Sequence, residues 1–241
     1  MRRIRCFAML SMTILLASCS VKEDRSDCPC WLTVEADKAI SLSAWFGSHQ
    51  ILDNHPGGLV EHTVPRGLVE IVASHGEFKV MEGHQMDSLF AQRALVDTDG
   101  ETAGYTVHLH KNFATVELDF KEEDDGRTDY DLLATGTVSG ADIRTLEPVE
   151  GPFICVPKPV LDGRGYSFRV PRQKDNSLAL ALYSEGKLVE TIELGYLIAK
   201  SGFDWKSESL GDVSILCDLP AHTFTINIKE WEGPVTFEIT I

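Results

Sequence analysis

Phe113-Ala114-Thr115-Val116-Glu117-Leu118-Asp119-Phe120 decides the fold of this chain. Ala114, Val116, Leu118 and Phe120 fall on every second residue, with Thr115, Glu117 and Asp119 between them. Successive side chains of a strand point to opposite faces, so this period of two describes one buried and one wetted face. The signature recurs in both directions. Towards the N-terminus it appears at Leu32 and Val34, then at Ile40, Leu42, Ala44 and Phe46 ahead of Gly47-Ser48. Leu59–Val64 and Leu68–Ala73 follow as a hairpin punctuated by Pro65-Arg66-Gly67, and Tyr105, Val107 and Leu109 alternate again. Towards the C-terminus come Leu132–Ser139, Phe153–Val156, and Tyr166, Phe168 and Val170. Leu178, Leu180 and Leu182 face Leu188, Ile192 and Leu194 across Ser184-Glu185-Gly186-Lys187. The last two strands carry Phe224, Ile226 and Ile228, then Phe237, Ile239 and Ile241, with Gly233-Pro234 turning between them.

The breaks are as regular as the strands. Asp53–Gly58 reads as a turn, since glycine supplies positive φ and proline removes a donor. Lys121–Gly126 reads as a solvated acidic loop. Helix is scarce: Asp87–Ala91 predicts one capped turn, and Tyr196–Asp218 holds the other helical stretch. Neither a repeat of solenoid length nor a low-complexity linker is visible. The expected fold is mainly β, as two tandem β-sandwiches over 31–110 and 111–241 that meet near His110-Lys111-Asn112. One sandwich of this length would need long insertions. A last strand running to Ile241 could leave or join a sheet, the raw material of strand exchange.

Ahead of the strands stands an export signal. Arg2, Arg3 and Arg5 precede an apolar run, Cys6–Leu16, that is too short to cross a hydrocarbon layer about 30 Å thick. Leu16-Ala17-Ser18-Cys19 resembles a bacterial lipobox, which implies removal of residues 1–18 and acylation of Cys19 at the head of a linker, 19–30. Several acyl chains make such an anchor stable. Lys22-Glu23-Asp24 resembles the export signal of surface lipoproteins in some Gram-negative bacteria. Loss of the three arginines moves the formal charge from −15 to −18, which disfavours nucleic acid and anionic headgroups. Hydrophobic residues make up 43% of the chain, enough for a packed core.

Cys28, Cys30, Cys155 and Cys217 allow three disulfide connectivities in an oxidising compartment. Cys28-Pro29-Cys30 is too tight for an easy bridge, and some of these thiols are expected to be buried and free. No enzyme constellation stands out. His108-Leu109-His110 has metal-ligand spacing on one strand face but lacks a third ligand, so a surface ladder is expected. Asp97-Thr98-Asp99-Gly100-Glu101 opens like a calcium loop, lacks its later ligands and reads as a turn. No cofactor or metal is expected. Trp31, Trp45, Trp205 and Trp231 could line a sugar platform, though anchoring the core is the commoner role of such residues.

The chain resembles the lipid-anchored fimbrillin-associated anchor proteins, the minor basal fimbrial subunits of Gram-negative anaerobes. The resemblance is carried by Cys19 with Lys22-Glu23-Asp24, by Asp27-Cys28-Pro29-Cys30-Trp31-Leu32, and by Asp87-Ser88-Leu89-Phe90. It continues through Leu109–Val116 and Thr223–Trp231, and their order along the chain matters more than any one of them. It implies two transthyretin-like β-sandwich domains, a lipid at Cys19, and a place in the outer membrane facing the exterior. It also implies a role in holding the fibre and influencing its length, with fimbrial (pilin) subunits joined by β-strand exchange. The segment Val235–Ile241 is the expected contact with the next subunit. The alternative is a surface glycan-binding lipoprotein of a nutrient-uptake system. It would show two or three exposed aromatics on one flat face, where an anchor shows an exposed sheet edge or exchangeable strand.

Overall fold

The structure is a computed structural model that describes residues 28–121, 130–160, 165–230 and 233–240. The signal segment 1–18, Cys19, Lys22-Glu23-Asp24, the acidic cluster 122–126, Trp231 and Ile241 lie outside the described residues.

The N-terminal unit is built on a ribbon of two long strands, β1 (Cys30–Phe46) and β2 (His49–Val64), turned at Gly47-Ser48. The first half of β1, Trp31–Ala36, also pairs in parallel with β5 (Thr102–Val107). The second half, Ser41–Phe46, pairs antiparallel with β3 (Leu68–His75). A register shift between Glu35 and Ile40 separates the halves. Leu32 and Val34 from one half meet Ile40, Leu42 and Ala44 from the other in a single core with Val60, Val69, Ile71, Val96 and Val107. β4 (Phe90–Asp97) and the two-residue β6 (His110–Lys111) extend the sheet in the order β2-β1-β3-β4-β6.

Three local expectations fail here. Leu59–Val64 and Leu68–Ala73 form no hairpin, because β2 and β3 flank β1 from opposite sides. Asp53–Gly58 is no turn but part of β2, its irregularity taken up by register shifts against β1 and by Asn54 at φ +45°. Asp87–Ala91 forms no helical turn; Leu89 N–H closes a tight three-residue turn on Asp87 O at 2.9 Å, β4 begins at Phe90, and Leu89 is fully buried. Turn chemistry states what a residue tolerates, and a long-range ladder overrode it twice.

The C-terminal unit begins at β7 (Phe113–Phe120), where Ala114, Val116 and Leu118 are fully buried. A six-stranded sheet has the order β10-β11-β7-β14-β15-β16. Its members are β10 (Lys158–Pro159), β11 (Gly165–Pro171), β7, β14 (Asp212–Asp218), β15 (Thr223–Glu230) and β16 (Gly233–Thr240). A four-stranded sheet has the order β13-β12-β8-β9, from β13 (Lys187–Ile192), β12 (Ala179–Ser184), β8 (Asp131–Ala141) and β9 (Pro148–Cys155). Both sheets turn apolar faces into one core: Val116, Phe168, Ile215 and Ile226 from the large sheet, Leu132, Phe153 and Leu180 from the small one. Two sheets across a shared core make a β-sandwich. Gly233 and Pro234 pair with Glu230 and Lys229, inside the ladder and not between strands as expected. The expected helix is α1 (Leu194–Lys200), which buries Leu194, Leu197 and Ile198 against the sandwich core.

The two units are sewn together by the connection from β3 to β4. Val80 N–H donates to Ser139 O at 2.8 Å, Ala141 N–H to Phe78 O at 2.8 Å, and Met86 N–H to Arg169 O at 2.9 Å. This strap lays backbone against β8 on one side and β11 on the other. Met86 and Leu89 are fully buried beside Phe113 and Ala141, in a small core at the junction.

Candidate functional site: an open sheet edge and the cleft between the units

The two edges of the large sheet differ. The β11 edge is covered by β10 and by the strap, whose Gln85 side chain also accepts from Arg169 N–H at 3.0 Å. At the other edge lies β16, which pairs with β15 from Thr223↔Thr240 to Glu230↔Gly233. No strand pairs with its outer flank among the described residues. Ile239 packs partly against the core, so β16 is integral to the sandwich on one side and open on the other. An open edge presents unpaired backbone groups that can template another strand.

At the unit boundary a buried carboxylate holds two cations. Glu70 on β3 is 6% exposed, a charge within the otherwise apolar run Val69–Ala73. Arg93 from β4 approaches its Oε1 at 2.5 Å. Arg144, from the turn between β8 and β9, approaches Oε2 with Nε at 2.7 Å and Nη2 at 2.6 Å. The same guanidinium donates to Gly47 O at 2.7 Å and lies 5.5 Å from the Trp45 ring. Burial pushes the Glu70 carboxyl up, but hydrogen bonds and charge from Arg144 and Arg93 outweigh it and hold it below the usual glutamate range. Asp142 shapes the turn that delivers Arg144, accepting from Thr145 N–H at 2.7 Å and Arg144 N–H at 3.0 Å.

Beside this contact a cleft of about 870 Å³ runs between β4 and three segments of the sandwich, 145–148, 172–176 and 203–208. Its floor is set by Arg172, which donates from Nη1 to Ser207 O at 2.8 Å and to Trp205 O, and from Nη2 to Asn112 Oδ1 at 3.2 Å. Asn112 in turn donates to Ala91 O at 3.3 Å. Phe203 and Trp205 pack edge to face with ring centres 4.6 Å apart. Two buried polar atoms in this wall have no hydrogen-bond partner, Gln173 Oε1 and Trp205 Nε1.

The candidate residues read from sequence scatter over the molecule. His108 lies between β5 and β6, outside the strand that carries His110, so the two imidazoles share no strand face. His110 Nε2 sits 3.1 Å from Glu208 Oε1, and His108 N–H donates to Gln92 Oε1. No group of three or more His, Cys, Asp or Glu that could hold a metal occurs among the described residues. Asp97–Glu101 spans the end of β4 and the turn into β5; Thr98 is fully buried and donates to Pro65 O at 2.8 Å. Trp45 is buried and Trp31 is 46% exposed. Trp31 on β1 and Tyr196 on α1 are the exposed aromatics among the described residues, and they lie in different units. The four cysteines among the described residues, Cys28, Cys30, Cys155 and Cys217, are free thiols. Burial pushes Cys155 up to about 11 and Cys217 up to about 12, and raises Cys30. Sequence reading missed Glu70, Arg93, Arg144, Arg172 and Gln173. Only Glu70 left a trace, as a charge inside an apolar run.

No family model matches the chain, and no curated protein matches it. Solved structures do. The chain is similar to a candidate polysaccharide-binding protein of the DUF1812 group from Bacteroides thetaiotaomicron, with a TM-score of 0.61 and 14% identity over 88% of this chain and 98% of that one. It is similar to a candidate adhesin from the same organism, with a TM-score of 0.56 and 13% identity over 86% and 98% of the two chains. It is also similar to the fimbrial anchor protein Mfa2 from Porphyromonas gingivalis, with a TM-score of 0.50 and 14% identity over 85% and 98%. The fold therefore extends through nearly the full length of each neighbour.

Proposed function

We propose that this chain is a basal fimbrial subunit, held in the outer membrane on the cell exterior by acyl chains on Cys19. Its two units are then transthyretin-like β-sandwich domains, and its partner is a fimbrial (pilin) subunit joined through β-strand exchange. The observation that carries this reading is the contrast between the edges of the large sheet, one covered by β10 and the strap, the other left open at β16. A fold shared with a fimbrial anchor protein and a candidate adhesin supports a fimbrial or adhesive role. Two variants test it in fibre-bearing cells. Cys19→Ser should release the protein from the membrane and the fibres from the cells. Deleting Val235–Ile241, which removes most of β16, should leave a membrane-bound protein that no longer retains fibres. Retention in both variants overturns the reading.

A second reading, a surface glycan-binding lipoprotein of a nutrient-uptake system, is favoured by the likeness to the candidate polysaccharide-binding protein. The flat aromatic face it calls for is not found among the described residues. A fimbrial subunit recovered with the acylated protein from outer membranes separates the two readings.

A further inference from the structure

We propose that two copies of this chain pair through the free flank of β5 in an antiparallel ladder centred on Gly104. β5 pairs with β1, and no strand lies along its other flank among the described residues. Trp31 N–H donates to Glu101 O at 2.9 Å, so the odd-numbered residues of β5 turn their backbone groups towards β1. These groups alternate in direction along a strand, so those of Thr102, Gly104 and Thr106 point away from β1. All three residues are exposed. The N–H of the next even-numbered residue, His108, donates to Gln92 Oε1 at 2.8 Å, which ends the open stretch.

Proteins blunt their open edges with charge, proline or a bulge. Every other strand that ends one of the three sheets carries such a guard: Pro56 in β2, Lys111 in β6, Pro152 in β9, Pro159 in β10, Lys187 in β13 and Pro234 in β16. β5, Thr-Ala-Gly-Tyr-Thr-Val, has none, and an unguarded edge calls for a partner strand. Its own sequence fits a second copy. With Gly104 set against Gly104 of the other copy, Thr102 falls opposite Thr106 and Ala103 opposite Tyr105, each twice by symmetry. Two threonines, or a ring beside a small residue, make favourable cross-strand neighbours. Ala103 and Tyr105 already pack partly against the N-terminal core, so the ladder would join two such cores. The edge bears no charge, so two strongly acidic chains meet there without opposing like charges. Segment 19–27 of the same chain suits the edge poorly, since it lacks alternation and carries Lys22, Glu23, Asp24, Arg25 and Asp27. This association is separate from the contact assigned to β16.

The test is sedimentation equilibrium of residues 20–241, which include every described residue and lack the acylation site. The parent should be half dimeric at about 100 µM, as a contact of six residues a side predicts. Gly104→Lys and Gly104→Glu add side chains where no atom lies within 4 Å of the new Cβ, so each should keep the parent's urea midpoint. Each sets like charges opposite one another across the two-fold axis and should weaken dimerisation about fivefold or more. Mixed in equal amounts, the two variants should pair at least as well as the parent, because lysine then faces glutamate. Thr106→Pro, which removes an outward N–H and spares the ladder to β1, should also be monomeric. A parent that stays monomeric at about ten times that concentration overturns the inference. So does undiminished dimerisation of both charged variants, as when another surface makes the contact, and so does a mixture that stays monomeric. Neither pilin nor membrane is present, so failure here leaves the anchor reading untouched.

Discussion

Arg144, on the turn between β8 and β9, closes on Glu70 of β3 with its Nη2 2.6 Å from the carboxylate, joining residues from opposite units of the molecule. Seventy-four positions of sequence separate them, and no local signal announces the pair. With Arg93 on the other oxygen, Glu70 is a charge taken out of water and fully matched.

Breaking such a pair leaves an uncompensated buried charge, which costs more than the intact pair contributes. Arg144→Ala should lower unfolding stability by about 2 kcal/mol, less than for a wholly buried pair because the guanidinium is a third exposed. Glu70→Ala should cost at least as much, since two guanidinium groups lose their partner. Urea denaturation of the two variants and the parent checks both values.

The same carboxylates set an acid limit. The folded protein holds Glu70, Asp142 and Asp175 below their ordinary values, so each contributes stability above its unfolded pKa that is lost as pH falls through the lowered one. Against ordinary values of 4.5 and 3.8, the urea midpoint should be level near neutrality. It should decline progressively below about pH 4.5. Glu70→Gln should start lower at neutral pH and show a shallower decline.

Gly140 lies where the strap crosses β8. A Cβ there would sit 2.1 Å from Phe78 O, and φ is +150°, a conformation that side chains other than glycine avoid. Gly140→Ala should destabilise the protein by at least about 2 kcal/mol and loosen the strap, raising amide exchange at Val80 and Ala141. Gly104→Ala, where no atom lies within 4 Å of the new methyl, is the matched control and should be nearly neutral.

Thiol reactivity should divide cleanly. Cys28 is exposed, whereas Cys30, Cys155 and Cys217 are buried. A thiol reagent at pH 8 should modify one of these cysteines in the native protein and all four in urea, counted by mass spectrometry.

What the sequence revealed was local, and what it hid was pairing. The alternation of Ala114, Val116 and Leu118, and of Phe224, Ile226 and Ile228, marks strands whose apolar faces are indeed buried. The hairpin Leu180↔Ile192 was legible because its turn lies between the two strands. Parallel pairing of β1 with β5 and of β7 with β14 was not, since those partners lie dozens of residues apart and nothing near either specifies the other. Asp53–Gly58 misled for the complementary reason: turn formers within a long ribbon become bulges when a neighbouring strand supplies the ladder. Of the cleft, Trp205 was singled out by type, but Gln173 and Arg172 acquire meaning only once their loops face β4.

The position of β1 has a mechanical corollary. Tension entering at residue 28 reaches a strand that is zipped on both flanks from Trp31 to Glu35, to β2 on one side and β5 on the other. Pulling along that strand loads both rows of backbone hydrogen bonds together, in shear, instead of peeling them one by one. The start of β1 is therefore built like a bolt seated in its housing, as the proposed acyl tether on Cys19 would require.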